Sequence, residues 1–311
     1  MTEKEGANRP ERAVKEILTK FRKEVVSTLY AMKKFFLFLL SAAVSFNVSA
    51  STVTGGRMPE DNPIRTVSSD PGFCCIFHSW GFIGDSLCSG EHEYHREDGS
   101  KGYVDLYEYS WGQRMCAAIG AEGENYSQGG ETAAGWIEHF WNNPDNNNND
   151  IDAKASPKQA YIIALGVNDA GRGYPAGDVH KDINMDDYTG NAGTFAGYYG
   201  GIIQRIKSIQ PDAKFFAVTK PQSGRGEDEF NEVIRSMPDV FDNVYVIDLF
   251  RYGPSYAPGT NFRDSFFLGG HMNAAGYEYT AWMFMTYIDW IIRNNMEDFS
   301  QVAFIGTDYE Y

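Results

Sequence analysis

The chain has 311 residues, with 27 Lys+Arg against 42 Asp+Glu for a formal net charge of −15. That length suits one large core or two small ones, and 15 % aromatic with 22 % charged residues excludes disorder for most of the chain. The acidic balance argues against nucleic acid and anionic membrane as partners, because both call for a basic surface.

Charge is unevenly placed. Residues 1–50 hold nine Lys/Arg against five Asp/Glu, net +4, which leaves −19 for residues 51–311. Inside that basic start, Met32-Lys33-Lys34 precedes an apolar run from Phe35 to Phe46 and then Val48-Ser49-Ala50. A basic segment, a short apolar segment and small residues at −3 and −1 form a secretory signal peptide, with cleavage expected after Ala50. The apolar run falls short of the roughly 20 residues a spanning helix needs, so no stable membrane insertion is expected. The expectation is an exported protein, periplasmic or extracellular. Met32 is read as the true start of an N-terminal extension spanning 1–50, with a real but unusually long n-region as the alternative. Residues 51–72 are polar with scattered Pro and Gly and read as a linker, and 73–311 as the functional domain.

Export sets an oxidising context for Cys74, Cys75, Cys88 and Cys116. A Cys88–Cys116 bridge and free buried thiols are both open readings. From Cys74 onward, short apolar runs alternate with helical patterns. Ile76–Ile83, Tyr161–Gly166, Phe215–Thr219 and Val244–Leu249 have strand length and no polar alternation, as strands covered on both faces do. Phe195, Tyr199, Ile202, Ile203, Ile206 and Ile209 form an apolar stripe at helical spacing that ends at Pro211. Phe230, Val233, Ile234 and Met237 form another, and Asn273–Arg293 reads as a buried last helix. The alternation predicts an α/β domain with a parallel sheet.

The chemistry concentrates at a few element edges. Gly84-Asp85-Ser86-Leu87 follows the first predicted strand, and ligands of open α/β sheets bind at such carboxyl ends. A serine hydroxyl needs a base, and His271, after Gly269-Gly270 and before the last helix, is the candidate among six His. Asn168 in Gly166-Val167-Asn168-Asp169, and Gly130 in Ser127-Gln128-Gly129-Gly130-Glu131-Thr132, are candidate donors to an oxyanion. His92-Glu93-Tyr94-His95 is one residue short of a metal-binding H-E-x-x-H and sits in a charged stretch, so it reads as a solvated loop over the site. The tract Asn142–Asp150 also reads as a solvated loop. Trp136 and Trp141 flank the second block, where aromatic faces would suit a sugar ring.

These blocks, in this order, resemble the SGNH hydrolases, also called GDSL esterases and lipases. The resemblance runs from about Cys75 to Asn294. It implies a three-layer α/β/α sandwich on a central, mainly parallel five-stranded sheet of flavodoxin-like type. It further implies Ser86 as nucleophile, His271 as base, and an oxyanion hole from the Ser86 N–H, the Gly130 N–H and the Asn168 side chain. No cofactor and no metal are implied. The last block departs from the family pattern D-x-x-H, since Leu268 stands three residues before His271. A backbone carbonyl or Asp264 is the expected substitute for orienting His271. The expected activity is hydrolysis of small acyl esters, with an acylated glycan favoured because no long apolar lid is visible. A lipase or lysophospholipase is the same-class alternative, and a non-catalytic glycan-binding module is the other. Oligomeric state stays open.

Overall fold

The computed structural model describes residues 62–309 apart from Arg225 and Glu227, all within the unit Met58–Tyr311. The signal-peptide pattern and Met32 lie outside the described residues. Strands β1 (Ser79–Gly84), β4 (Glu122–Ser127), β5 (Ala160–Ala164), β6 (Lys214–Val218) and β7 (Val244–Ile247) form one sheet in the order β4-β1-β5-β6-β7. Every pairing in it is parallel. Between β1 and β4 an antiparallel hairpin is inserted, β2 (Glu91–His95) with β3 (Lys101–Asp105). A second, very small hairpin, β8 (Phe267–Leu268) with β9 (His271–Met272), precedes the last helix.

Side-chain alternation along the central strands divides the core in two. Trp80, Phe82, Phe216 and Ile247 point to one face, where the helices Trp111–Ile119 and Ala274–Asn294 cover them with Trp111, Met115, Phe284 and Ile288. Ile83, Tyr161, Ile163 and Phe215 point to the other, under Phe195–Ile209 and Glu229–Ser236. This is the α/β/α sandwich, with a flavodoxin-like strand order once the sheet strands are ranked along the chain.

The strands at 160–164, 214–218 and 244–247 fall within a residue or two of their expected places. The first does not. Residues Gly72–Ile76 form a 3-10 helix, and β1 starts only at Ser79. In the stretch read as linker, residues 62–72 lie against the domain: Ile64 is buried, and the Ser68 N–H donates to Thr286 Oγ1 at 3.0 Å. All four cysteines are free, with Cys74, Cys88 and Cys116 buried and Cys75 exposed. Trp136 is wholly buried and donates its indole N–H to the Tyr126 carbonyl, 3.0 Å, so it is a core residue and no sugar platform. The Asn-rich tract is ordered around buried Asn147, whose side-chain nitrogen donates to the carbonyls of His139, Pro144 and Ile151. Among the described residues no helix is long and apolar enough to cross a membrane.

Candidate active site

The strand order reverses between β1 and β5, and the crevice at their carboxyl ends is where this architecture binds ligands. Both ends carry candidate residues. At β1, Asp85 leaves the sheet in extended conformation and caps the short helix Ser86–Ser89, its carboxylate accepting from the Leu87 N–H at 3.0 Å. Ser86 therefore takes the first helical position, half-buried, its Oγ without a hydrogen-bond partner among the described residues. A first-turn N–H has no intrahelical acceptor, so the Ser86 amide is free to bind an incoming oxygen.

At β5, Gly166 turns the chain into the helix Val167–Gly171. Asn168 donates its side-chain amide to the Glu131 carbonyl at 3.0 Å and to Asp85 Oδ2 at 3.3 Å. This bond network ties the first, second and third blocks together. Gly130 lies in the left-handed region, φ +74°, its carbonyl held by Arg172 at 2.7 Å. Behind it, Glu131 is buried and accepts from the Thr132 N–H at 3.0 Å, and its other oxygen lies 2.8 Å from His139 Nδ1. Asp169 is fully buried and accepts from the Ala133 N–H at 3.0 Å.

His271 belongs to β9 and is not part of the last helix, which Asn273 caps through the Gly276 N–H at 2.9 Å. Ser86, Asn168 and His271 line one cavity of about 390 Å³ together with Lys220, Arg263 and Phe267. A small apolar recess of about 40 Å³ shares Leu87, Val167 and Tyr256 with it. Neither expected substitute for the missing acid holds the imidazole: Asp264 is exposed on the helix Asn261–Phe266, and among the described residues no backbone carbonyl pairs with His271 Nδ1, which has no hydrogen-bond partner. His271 Nε2 instead lies 2.9 Å from Glu91 Oε1, both side chains largely buried at 16 % and 12 % exposure.

Glu91 begins β2, in the stretch expected to be a loop. The segment is a hairpin in which Glu93 is buried, ion-paired to Lys101 at 2.7 Å and accepting from the Gly270 N–H at 3.0 Å. The sequence signal for it lies in Asp98-Gly99, with Gly99 at φ +78°, between two strand-length segments.

Two buried acids beside the serine hold their protons unusually well. Burial pushes Asp85 up to about 7 against the Leu87 amide bond, and burial likewise pushes Asp169 up to about 6. A carboxyl whose folded pKa lies above its unfolded value near 4 contributes a stability loss as pH rises between the two values. For Asp169 that loss is on the order of 2–3 kcal/mol between about pH 4 and pH 6. Urea unfolding of wild type and Asp169→Asn at several pH values is expected to show a flatter pH slope in the variant across this window. Identical slopes would place the Asp169 titration elsewhere.

Serine, asparagine and histidine thus line one cavity at the switch point of an α/β/α sandwich. The chain belongs to the GDSL-like lipase/acylhydrolase family, whose model matches residues 82–279, more than half of the sequence. Among solved structures it is similar to an active-site mutant of a family two carbohydrate esterase from Clostridium thermocellum, at 15 % identity and TM-score 0.46. That match covers 71 % of this chain and 64 % of the esterase. It is also similar to a protein from Chitinophaga pinensis described as a possible lipase, at 17 % identity and TM-score 0.44, covering 70 % of this chain and 98 % of that one. No curated protein sequence matches the chain.

Proposed function

We propose that this protein is an exported serine esterase that removes small acyl groups, of acetyl size, from carbohydrate. The observation that supports this most is the convergence of Ser86, Asn168 and His271 on one cavity, with the Ser86 N–H at the open first turn of its helix. In the reaction, Ser86 Oγ adds to the ester carbonyl and gives its proton to His271. The carbonyl π pair moves onto oxygen, where the Ser86 and Gly130 N–H groups and the Asn168 amide receive it. Collapse of the tetrahedral intermediate breaks the C–O bond to the alcohol, which leaves with the proton from His271. Water, deprotonated by His271, then attacks the acyl-serine and releases the acid. No metal or cofactor enters these steps.

Cavity shape supports the small acyl group. The apolar recess is small, about 40 Å³, and the larger cavity mixes Lys220, Arg263 and Asn168 with the aromatic side chains of Phe250, Tyr256 and Phe267. Such mixed walls suit a hydroxyl-rich alcohol. Export rests on the pattern of residues 32–50.

The test is hydrolysis of 4-nitrophenyl acetate by purified residues 51–311, together with labelling by a fluorophosphonate. Turnover and a single label on Ser86 are expected, with acetylated oligosaccharides preferred to long-chain esters. A folded protein that neither turns over nor takes the label would overturn the esterase reading.

A further inference from the structure

The family pattern places an aspartate three residues before the histidine, and here that position is an exposed leucine. We infer that Glu91, on the hairpin that follows the nucleophile helix, replaces that aspartate as the residue positioning His271. The inference rests on the esterase reading above but concerns how its base is held.

Several contacts carry it. Glu91 Oε1 is 2.9 Å from His271 Nε2, hydrogen-bonding distance between two largely buried side chains. The carboxylate packs over Gly129, next to Gly130: a Cβ built there would lie 2.2 Å from Glu91 Oε2. Its backbone is pinned as well, since the Tyr277 hydroxyl donates to the Glu91 carbonyl at 2.7 Å.

The rest of the hairpin holds the same turn. In a strand, residues two apart share a face, so Glu91 and Glu93 both reach toward β9. Glu93 takes the Gly270 N–H, and Tyr103 from β3 sets its ring edge-on to His271 at 5.4 Å between centroids. Gly269 makes the approach feasible. It sits at φ +68°, and a Cβ there would meet the Glu93 carboxyl at 2.4 Å. The insertion thus works as a brace for the base.

The contact also bears on the two ring nitrogens. A carboxylate only accepts, so Glu91 at 2.9 Å favours the neutral imidazole with its proton on Nε2. His271 Nδ1 is then the basic nitrogen, and it is buried without a hydrogen-bond partner among the described residues. That leaves Nδ1 as the nitrogen to take the serine proton, on a side chain that lines the same cavity as Ser86. In the familiar serine-protease arrangement the acid holds Nδ1 and the nucleophile faces Nε2. Here the acid faces Nε2 instead. The ground for a non-catalytic glycan-binding module, an unsupported histidine, falls away with this assignment.

The test compares Glu91→Gln, Glu91→Asp and Glu93→Gln with wild type on 4-nitrophenyl acetate. Glu91→Gln keeps the shape and permits the wrong tautomer, so kcat is expected to fall about 10³–10⁴-fold with KM within a few-fold, by the logic of removing a triad acid. Glu91→Asp is expected to recover part of that loss, and Glu93→Gln to stay within about tenfold of wild type. Proton and ¹⁵N NMR of His271 give a readout that does not depend on turnover. A low-field proton on Nε2 is expected in wild type and Glu93→Gln and lost in Glu91→Gln. Wild-type activity in a folded Glu91→Gln, or a low-field proton found on Nδ1 or unchanged in that variant, would overturn the inference. Absence of Ser86-dependent turnover with the Nε2 proton intact would instead strike the esterase reading alone.

Discussion

In Ser86→Ala, hydrolysis of 4-nitrophenyl acetate is expected to fall on the order of 10⁵–10⁶-fold in kcat while the fold is untouched. The size follows from losing the covalent route altogether: without an acyl-serine, the remaining donors act only on direct attack by water. The stability half of the expectation follows from the structure. Ser86 Oγ has no protein partner to lose, while the contacts that define the helix end involve its backbone, with the Ser89 hydroxyl donating to the Ser86 carbonyl at 3.1 Å. Serine at the first helical turn contributes little through propensity, so Tm is expected within a degree or two of wild type. A thermal melt beside the kinetic assay separates the two halves. Substantial turnover in a folded variant would mean that another nucleophile or a bound water carries the reaction.

What is legible in the sequence follows the physics of burial. Strands covered on both faces, such as Ala160–Ala164 and Lys214–Val218, read as apolar runs and are placed almost to the residue. Edge strand β4 escapes such a reading, because Glu122-Gly123-Glu124-Asn125-Tyr126-Ser127 is polar and pairs on one side only. The loop at 128–132 that follows it is nevertheless located through the family block, which depends on local donors and not on hydrophobic pattern.

The acid facing His271 is hidden for a different reason. Spacing along the chain identifies a partner only when both residues share one turn, and Glu91 is 180 positions from His271. Of two charged residues in a charged stretch, Glu93 turns out buried and Glu91 largely so, because a hairpin folds them onto β9 with an amide and an imidazole as their partners. Composition marks such a stretch as solvated. Only the Asp98-Gly99 turn and the strand-length segments on either side of it argue otherwise.

Asn168→Ala is expected to lower kcat about 10²–10³-fold, equivalent to about 2.7–4 kcal/mol of transition-state stabilisation, with KM little changed. The asparagine amide carries two hydrogens and uses both before substrate arrives. The 3.0 Å bond to the Glu131 carbonyl orients the group, while the 3.3 Å bond to Asp85 is the longer and weaker one. An oxyanion, being charged, competes for that second hydrogen far better than a neutral ester oxygen does. The gain therefore appears in the transition state and not in the ground state, which is why kcat and not KM should carry the loss. Asn168→Asp is the sharper variant, since it keeps the shape, removes the donor and sets a second carboxyl against buried Asp85. It is expected to be at least as inactive as the alanine variant. Fluorophosphonate labelling should slow in parallel in both, because the phosphonyl oxygen needs the same donors. Near-normal kcat in either folded variant would take Asn168 out of the oxyanion site and leave the Ser86 and Gly130 amides to form it alone.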